Sequence, residues 1–476
     1  MRTNLNHYFI NGEWIGSTGS ETIQVCNPAT EEVIGEISSG TEEDLNKAVA
    51  AAKAAFPSFS KTSKEERIQL LEAIANEYEN KKDELIDVIT EELGSPVSIS
   101  QNVHYTMGYN HFKHAAEALK DFSFEENRGN HKIRKESIGV SGLITPWNFP
   151  TNQTSTKIAG AIAAGSPMVL KPASMTPFAA MMLADILATA GVPKGVFNLV
   201  NGSGSTIGNG ISKHPDIDFV SFTGSGKVGE KIMKNGAETI KKVALELGGK
   251  SPLVVLEDAD MEKAAKTAAW NIMMNTGQVC SAATRAIIPT SKKEAFEKAV
   301  KQAVSSFEYG DPKQTETKTG PLISKDQWDT VQSYIEKGIH EGATLLLGGT
   351  GKPEGLETGY YVKPTVFTDV TNDMVIAQEE IFGPVLSVIT YNDLDEALEI
   401  ANDTIYGLAG YVVGKDKRTL AHVANNIKAG QITVNDGKTD FFAPFGGYKQ
   451  SGIGREWGDY GIEEYLEVKA IMGLSS

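Results

Sequence analysis

Cys280 is one of two cysteines among 476 residues, and it stands in NTGQVCSAATR (275–285) among small and hydroxyl side chains. A free cysteine normally packs as a small inert hydrophobe, whereas a thiol that loses its proton is a strong nucleophile. Glu246 lies 34 positions earlier (280 − 246) in VALELGGKSP, just ahead of Gly248 and Gly249. The glycines place it on a turn or strand end, not on a helix face. It reads either as a solvated loop carboxylate or, beside the thiol, as a base. A third feature, IDFVSFTGSGKVGEKIM, contains Gly224-Ser225-Gly226-Lys227-Val228-Gly229, a GxGxxG match between a strand and a helix. Such a turn either cradles phosphate at a helix N-terminus or is an ordinary glycine-rich strand-to-helix turn.

The elements that must position these residues follow from the pattern along the chain. Helix signals dominate the first third. TEEDLNKAVAAAKAAF opens with a capping box, Thr41 and Asp44. A second box, Ser63 and Glu66, opens one long helix predicted to run to Gly94. From about residue 138, the apolar runs IGVSGLIT, SPMVLK, VFNLVN, IDFVSFTG and SPLVVLE alternate with helical stretches. A second such series contains RAIIP, PVLSVITY, LAGYVVG and QITVN. Strand–helix alternation predicts parallel, doubly wound sheets. Two series predict two α/β domains with a ligand cleft between them. The charged stretch SFEENRGNHKIRKESIGV fits neither series and reads as a polar hairpin or a solvated loop. Cys26, in IQVCNPAT, reads as structural, on an edge strand before a turn.

A net charge of −16 argues against nucleic acid or an anionic membrane as partner. Two cysteines make no disulfide framework, no apolar run is long enough to cross a membrane, and the N-terminus lacks the apolar stretch of a signal peptide. A cytoplasmic protein is expected.

Seven segments occur in order: PWNFP (146–150), KPAS (171–174), FTGSGKVG (222–229), ELGGKSP (246–252), GQVCSAATR (277–285), EEIFGPVL (379–386) and PFGGYKQSGIGRE (444–456). Together they resemble the NAD(P)-dependent aldehyde dehydrogenase superfamily, nearly end to end. The resemblance implies a Rossmann-like dinucleotide-binding domain (1–120 and 139–248), a second α/β catalytic domain (249–443), and a small β oligomerisation element (121–138 and 456–476). A homodimer or homotetramer is the implied assembly. No metal is implied.

The implied reaction converts an aldehyde to a carboxylic acid with NAD or NADP. Cys280 would add to the carbonyl as a thiohemiacetal, which becomes a thioester once hydride has left. Glu246 would activate the water that cleaves the thioester, and Asn148 would donate to the oxyanion. Thr145, Trp147, Lys171, Ser174, Gly204, Gly224, Ser225, Gly229, Glu380 and Phe382 fall at cofactor positions, and Lys157 at a position associated with proton relay. Ser281, with Val279 and Ala282, leaves room beside the sulfur.

Two departures from the family pattern carry expectations. Ser174 stands where a strict NAD user often has a glutamate that repels the 2′-phosphate, so NADP should be tolerated. Asn152, Gln153 and Thr156 replace bulky apolar groups in the substrate tunnel, and NDGKTDFFA brings Lys438, Asp440, Phe441 and Phe442 near its mouth. A polar or short aldehyde is the resulting expectation. Two rival readings keep the scaffold: a CoA-acylating semialdehyde dehydrogenase, whose members generally lack the glutamate present here as Glu246, and a non-catalytic dinucleotide-binding protein, which would be expected to have lost Cys280, Glu246 or Asn148. A dehydrogenase using a Tyr-Lys pair or a His is disfavoured, since none lies beside the glycine turn.

Overall fold

A computed structural model describes residues 5–473; residues 1–4 and 474–476, the latter closing the segment assigned above to assembly, lie outside the described residues. The first sheet has eight strands, in the spatial order Gly452–Ile453, Lys242–Glu246, Phe219–Thr223, Ser141–Ile144, Met168–Lys171, Phe197–Leu199, His7–Ile10 and Glu13–Gly16. The five from Lys242–Glu246 to Phe197–Leu199 are parallel. Four of these five are buried throughout, which is why they read as short continuous apolar runs. In chain order the sheet grows from Ser141–Ile144 to one side and then to the other. Its switch point therefore lies beside that strand, where doubly wound sheets bind ligands beyond the strand C-termini. The loop leaving Ile144 there is Thr145-Pro146-Trp147-Asn148, and the glycine turn leaves the neighbouring strand Phe219–Thr223.

The second sheet has seven strands, ordered Thr344–Leu347, Thr365–Thr368, Val385–Tyr391, Ala283–Pro289, Ser251–Val255, Ala409–Val413 and Gln431–Val434. All its pairings are parallel except the first. Residues 247–250 run directly from the C-terminal end of one sheet to the N-terminal end of the other, and Cys280 lies just before Ala283–Pro289. The ends of both sheets thus meet where the thiol and Glu246 stand.

Both capping boxes form. The long second helix does not: it divides at Lys81 (φ −104°, ψ 14°) into Lys64–Asn80 and Lys82–Leu93. The second piece turns toward the helix Phe178–Thr189, where buried Glu92 accepts from the N–H groups of Phe178 (2.7 Å) and Ala179 (3.0 Å). That bond satisfies donors a helix start leaves free, and no local sequence signal announces it. The polar stretch forms the hairpin Glu125–Arg128 and His131–Ser137, and Leu466–Met472 pairs antiparallel with its second strand. Hairpin and tail, the two parts of the segment assigned above to assembly, thus form one three-stranded sheet. No helix among the described residues is long and apolar enough to cross a membrane.

Arg285 locks the second sheet to its surroundings. It is fully buried, and its guanidinium donates to the carbonyls of Lys250 (3.0 Å), Ile400 (2.8 Å) and Ala401 (2.9 Å). Burial lowers its pKa to about 10, so it stays charged at neutral pH. Arg285→Met should strand these carbonyls at about 1–3 kcal/mol each, seen as a lower urea midpoint at unchanged slope.

Candidate active site

The backbone before Cys280 is strained. Asn275 (φ 49°), Thr276 (φ 55°) and Gly277 (φ 72°) are all left-handed. Each such non-glycine residue costs on the order of 1–3 kcal/mol and persists only where its surroundings impose it. Here the imposition is explicit. Asn275 Nδ2 donates to Asn148 O (2.9 Å) and Gln278 O (3.3 Å), and Gln278 Nε2 returns to Asn275 O (3.0 Å). Thr276 Oγ1 donates to Gly320 O (3.0 Å), and Gln278 Oε1 accepts from Ile323 N (2.9 Å). Gly277 lies directly on the Gly383 backbone, with no room for a side chain.

Asn148 belongs to the same ring: its Nδ2 donates to Gln278 O (3.0 Å), two residues before the thiol. The amide has a second N–H for a charge developing beside Cys280. Cys280 itself packs in an apolar cluster with Leu408, Phe445, Trp457 and Met107. Burial, then the carboxyls of Glu380 and Glu246, push its thiol up to about 12, against backbone N–H groups of residues 280 and 281 that favour the thiolate.

Glu246 ends the strand Lys242–Glu246, paired on one side with Thr223 and on the other with Gly452. It is 4% exposed, and its Oε2 has no hydrogen-bond partner. Gly446 lies against it: a methyl group there would sit 2.6 Å from Oε1. Burial, and next the Glu456 carboxylate, raise Glu246 well above the usual carboxylate range, opposed by Lys157 and Arg455. Lys157 is wholly buried and donates to Glu456 Oε1 (2.6 Å) and Ser221 Oγ (2.8 Å). Ser451 secures the segment by donating to Gly248 O (2.7 Å) and accepting from Gly407 N (2.9 Å).

Glu380 reaches the same corner. Its Oε1 accepts from Gly249 N (3.1 Å), and it presses on Gly248. Burial raises it to about 7 against that hydrogen bond and Lys250. Lys250 itself, buried with no hydrogen bond to Nζ, is lowered to about 7 by burial and Arg285. Phe382 (φ 57°) meets Trp147 edge to face at 5.4 Å.

Along the first sheet's switch point, Thr145 N donates to Lys171 O (3.2 Å), and Lys171 Nζ donates to Pro172 O (2.8 Å). Burial lowers Lys171 to about 8. Ser174 Oγ donates to Gly202 O (3.0 Å). Gly204 begins a π-helical turn, Gly204–Gly208, and has open space over its Cα, as does Gly226. Ser225 precedes the helix Gly226–Gly236 without a side-chain cap bond, leaving N–H groups at that start free of its hydroxyl. Gly229 lets this helix approach Leu247, and Gly224 abuts Phe222. An open backbone cradle, a helix start and an adjacent buried lysine fit the diphosphate and ribose of a dinucleotide.

The polar tunnel residues lie on the helix Pro150–Ala164, which is buried along its whole length. Asn152 Oδ1 is 2.6 Å from His111 Nε2, while Gln153 Oε1 is buried without a partner. Thr156 lines a pocket with His111, Phe441 and Trp457. Ser281 O accepts from Tyr411 (3.1 Å). Phe442 is 46% exposed and packs on His114. Phe441 is the one that reaches Trp457, at 5.4 Å. Trp457, Phe445, Leu408 and Met107 around the thiol, and Lys250 beside Glu380, escaped the sequence reading. The available signals were the place of Phe445 and Lys250 inside two of the seven segments and an aromatic directly after GRE.

A half-buried thiol, an unpartnered buried carboxyl and an amide donor at the ligand end of a doubly wound sheet suit a class: nucleophilic chemistry beside a nucleotide crevice. Comparison with known proteins narrows it. The model of the aldehyde dehydrogenase family matches residues 14–471, and the chain belongs to that family. A Staphylococcus haemolyticus relative, provisionally named an aldehyde dehydrogenase, is 60% identical over 99% of this chain and 100% of its own. Among solved structures, aldehyde dehydrogenase C of Pseudomonas syringae with NAD+ and octanal is 43% identical with a TM-score of 0.98, covering 99% of this chain and 97% of that one. A Mycobacterium tuberculosis aldehyde dehydrogenase with NAD+ is 39% identical with a TM-score of 0.96, over 99% of both chains. Betaine aldehyde dehydrogenase of Staphylococcus aureus with NAD+ is 39% identical with a TM-score of 0.95, over 99% of this chain and 97% of that one.

In a Cys26→Ser background without cofactor, iodoacetamide should modify Cys280 ever faster as pH rises past about 9, since only the thiolate reacts and its pKa is pushed up. A plateau near pH 8 would contradict the environment described.

Proposed function

We propose that this aldehyde dehydrogenase oxidises its substrate to the carboxylic acid with NAD or NADP, through Cys280, Glu246 and Asn148. The observation that carries the reading is the hydrogen-bonded ring that seats Asn148 against the Cys280 loop, with the unpartnered Glu246 carboxyl acting on the same sulfur. Cys280 gives its thiol proton through a water to ionised Glu246 as its sulfur bonds to the carbonyl carbon, and the oxygen takes negative charge facing the Asn148 amide. A bound NAD or NADP supplies the acceptor for the hydride that leaves this carbon. Glu246 then takes a proton from water as it attacks the thioester carbon; the carbon–sulfur bond breaks, and acid and thiol are released. Lys157 and Glu456 stand behind Glu246 as the route by which that proton departs.

Lys171, Ser174 and the turns at Gly204 and Gly224–Gly229 hold the nucleotide, Glu380 the nicotinamide ribose, and Trp147, Phe382 and Thr145 the walls beside it. Residues 1–120 with 139–248 form the cofactor domain, and 249–443 the catalytic domain. Residues 121–138 with 456–476 form the assembly element of a homodimer or homotetramer. Exposed Val468 (67%) and Met472 (76%), on the outer strand of the three-stranded sheet, support that assembly. Free cysteines suit the reducing cytoplasm.

Light scattering should give the mass of two or four chains, and Val468→Asp should shift it downward. Reduced-cofactor absorbance should show no turnover for Cys280→Ala. For Asn148→Ala the expected loss is about 100- to 1,000-fold. For Glu246→Gln it is about 100- to 10,000-fold, with the thioester accumulating. Glu246 works only when ionised and its burial keeps it protonated to higher pH, so turnover should climb as pH rises. Measured on hydrolysis of the preformed thioester, where Cys280 is already acylated, the glutamine variant should lose that dependence. With no carboxylate at 174 to repel a 2′-phosphate, NADP should support turnover; total exclusion of NADP, or CoA dependence, would contradict these assignments.

A further inference from the structure

Three successive residues, Gly248, Gly249 and Lys250, surround the Glu380 carboxyl from one side. A methyl group on Gly248 would collide with both carboxylate oxygens, so glycine is what lets Glu380 lie on this backbone. Gly249 N donates to Glu380 Oε1 (3.1 Å). Lys250 follows, 2% exposed, and its Nζ makes no hydrogen bond. Its backbone is fixed: Arg285 Nε donates to Lys250 O (3.0 Å), and the strand Ser251–Val255 begins directly after it. Burying an amine without a hydrogen bond is costly, so local packing does not explain its place. The charges that reach it do. Glu380 and Glu379, which directly follow the helix Val375–Gln378, favour its charged form, and Arg285 opposes them. Lys428 lines the small cavity beside it, with Ser251, Thr404 and Tyr406. Glu379 is already engaged, accepting from Tyr334 Oη (2.7 Å).

From the side of Glu380 the same cluster reads in reverse. Burial pushes its carboxyl up to about 7, and the Gly249 N–H and Lys250 pull it back. Tyr406 and Cys280 also feel this carboxyl, and neither brings a positive charge. Resting on the assignment of Glu380 to the nicotinamide ribose, we infer that Lys250 is a positioning residue for the cofactor, the cation that keeps Glu380 ionised with acceptor capacity on both oxygens. Protonation would turn one of those oxygens into a donor and forfeit the stronger, charge-assisted bonds that a carboxylate accepts from ribose hydroxyls. Lys250 acts on the cofactor only through Glu380.

The test is the Kd for NAD, measured by calorimetry without any aldehyde. It compares wild type, Lys250→Met, Lys250→Arg, Glu380→Gln and the double variant Lys250→Met with Glu380→Gln. At pH 7, Lys250→Met should weaken NAD about five- to tenfold, the loss when a carboxyl half ionised at this pH becomes mostly protonated. The gap should close toward about pH 9, where Glu380 ionises unaided. Lys250→Arg keeps a cation and should recover most of the affinity. In the Glu380→Gln background, Lys250→Met should change nothing further, a result that a general loss of packing does not give. An unchanged Kd for Lys250→Met at pH 7, or a loss that persists at high pH or in the Glu380→Gln background, overturns the inference and leaves the ribose assignment standing. If Glu380→Gln itself binds NAD as tightly as wild type, that assignment falls and this inference with it. Lys250→Gln, smaller and polar, takes the place of Lys250→Met if the methionine variant does not fold, and the same outcomes decide.

Discussion

The closed set of hydrogen bonds among Asn148, Asn275 and Gln278 is the constraint on which the active site depends. It joins the loop leaving the first sheet to the loop entering the second, and it holds three successive left-handed residues in place. Left-handed backbone is costly for Asn and Thr, so the turn would relax without these partners. Because Gln278 lies two residues before the thiol and Asn148 four after the strand Ser141–Ile144, one small ring sets the position of Cys280 relative to the loop leaving the first sheet.

Around this ring, burial fixes the electrostatics. Cys280, Glu246 and Glu380 all lie in a low-dielectric corner, and each is driven toward its neutral form, chiefly by desolvation. Lys250 and Lys171, also buried, are driven down for the same reason. Glu380 and Lys250, both brought to about 7, change charge at small cost when a partner arrives, whereas the Cys280 thiol, pushed up to about 12, stays protonated at rest. The Lys157–Glu456 pair differs: it is a direct buried ion pair whose two members pull Glu246 in opposite directions.

Much of this was legible in the residues themselves. Capping boxes at Thr41 and Ser63, the alternation of buried strands with helices, and the glycine turn at 224–229 are short-range patterns, decided by neighbours within a few positions. The division at Lys81 was not legible, and neither was the contact its second piece makes, Glu92 capping a helix that begins at Phe178. Nor was the use made of polar side chains on the helix Pro150–Ala164: Asn152 looks like a polar tunnel lining until His111 is placed beside it.

By itself, then, the order of residues determined the chemical parts: a thiol, a carboxyl, an amide and a glycine-rich turn, each in a local frame its neighbours dictate. Only tertiary structure decided what surrounds the sulfur. Met107 and Cys280 pack against the cluster of Leu408, Phe445 and Trp457 solely because distant parts of the chain meet there. The reciprocal Phe445–Glu456 backbone pair beside Trp457 is likewise a long-range contact. The physical reason is range: hydrogen-bonded caps and side-chain periodicity act along a few residues, whereas desolvation and packing act between groups that meet only once the chain has folded.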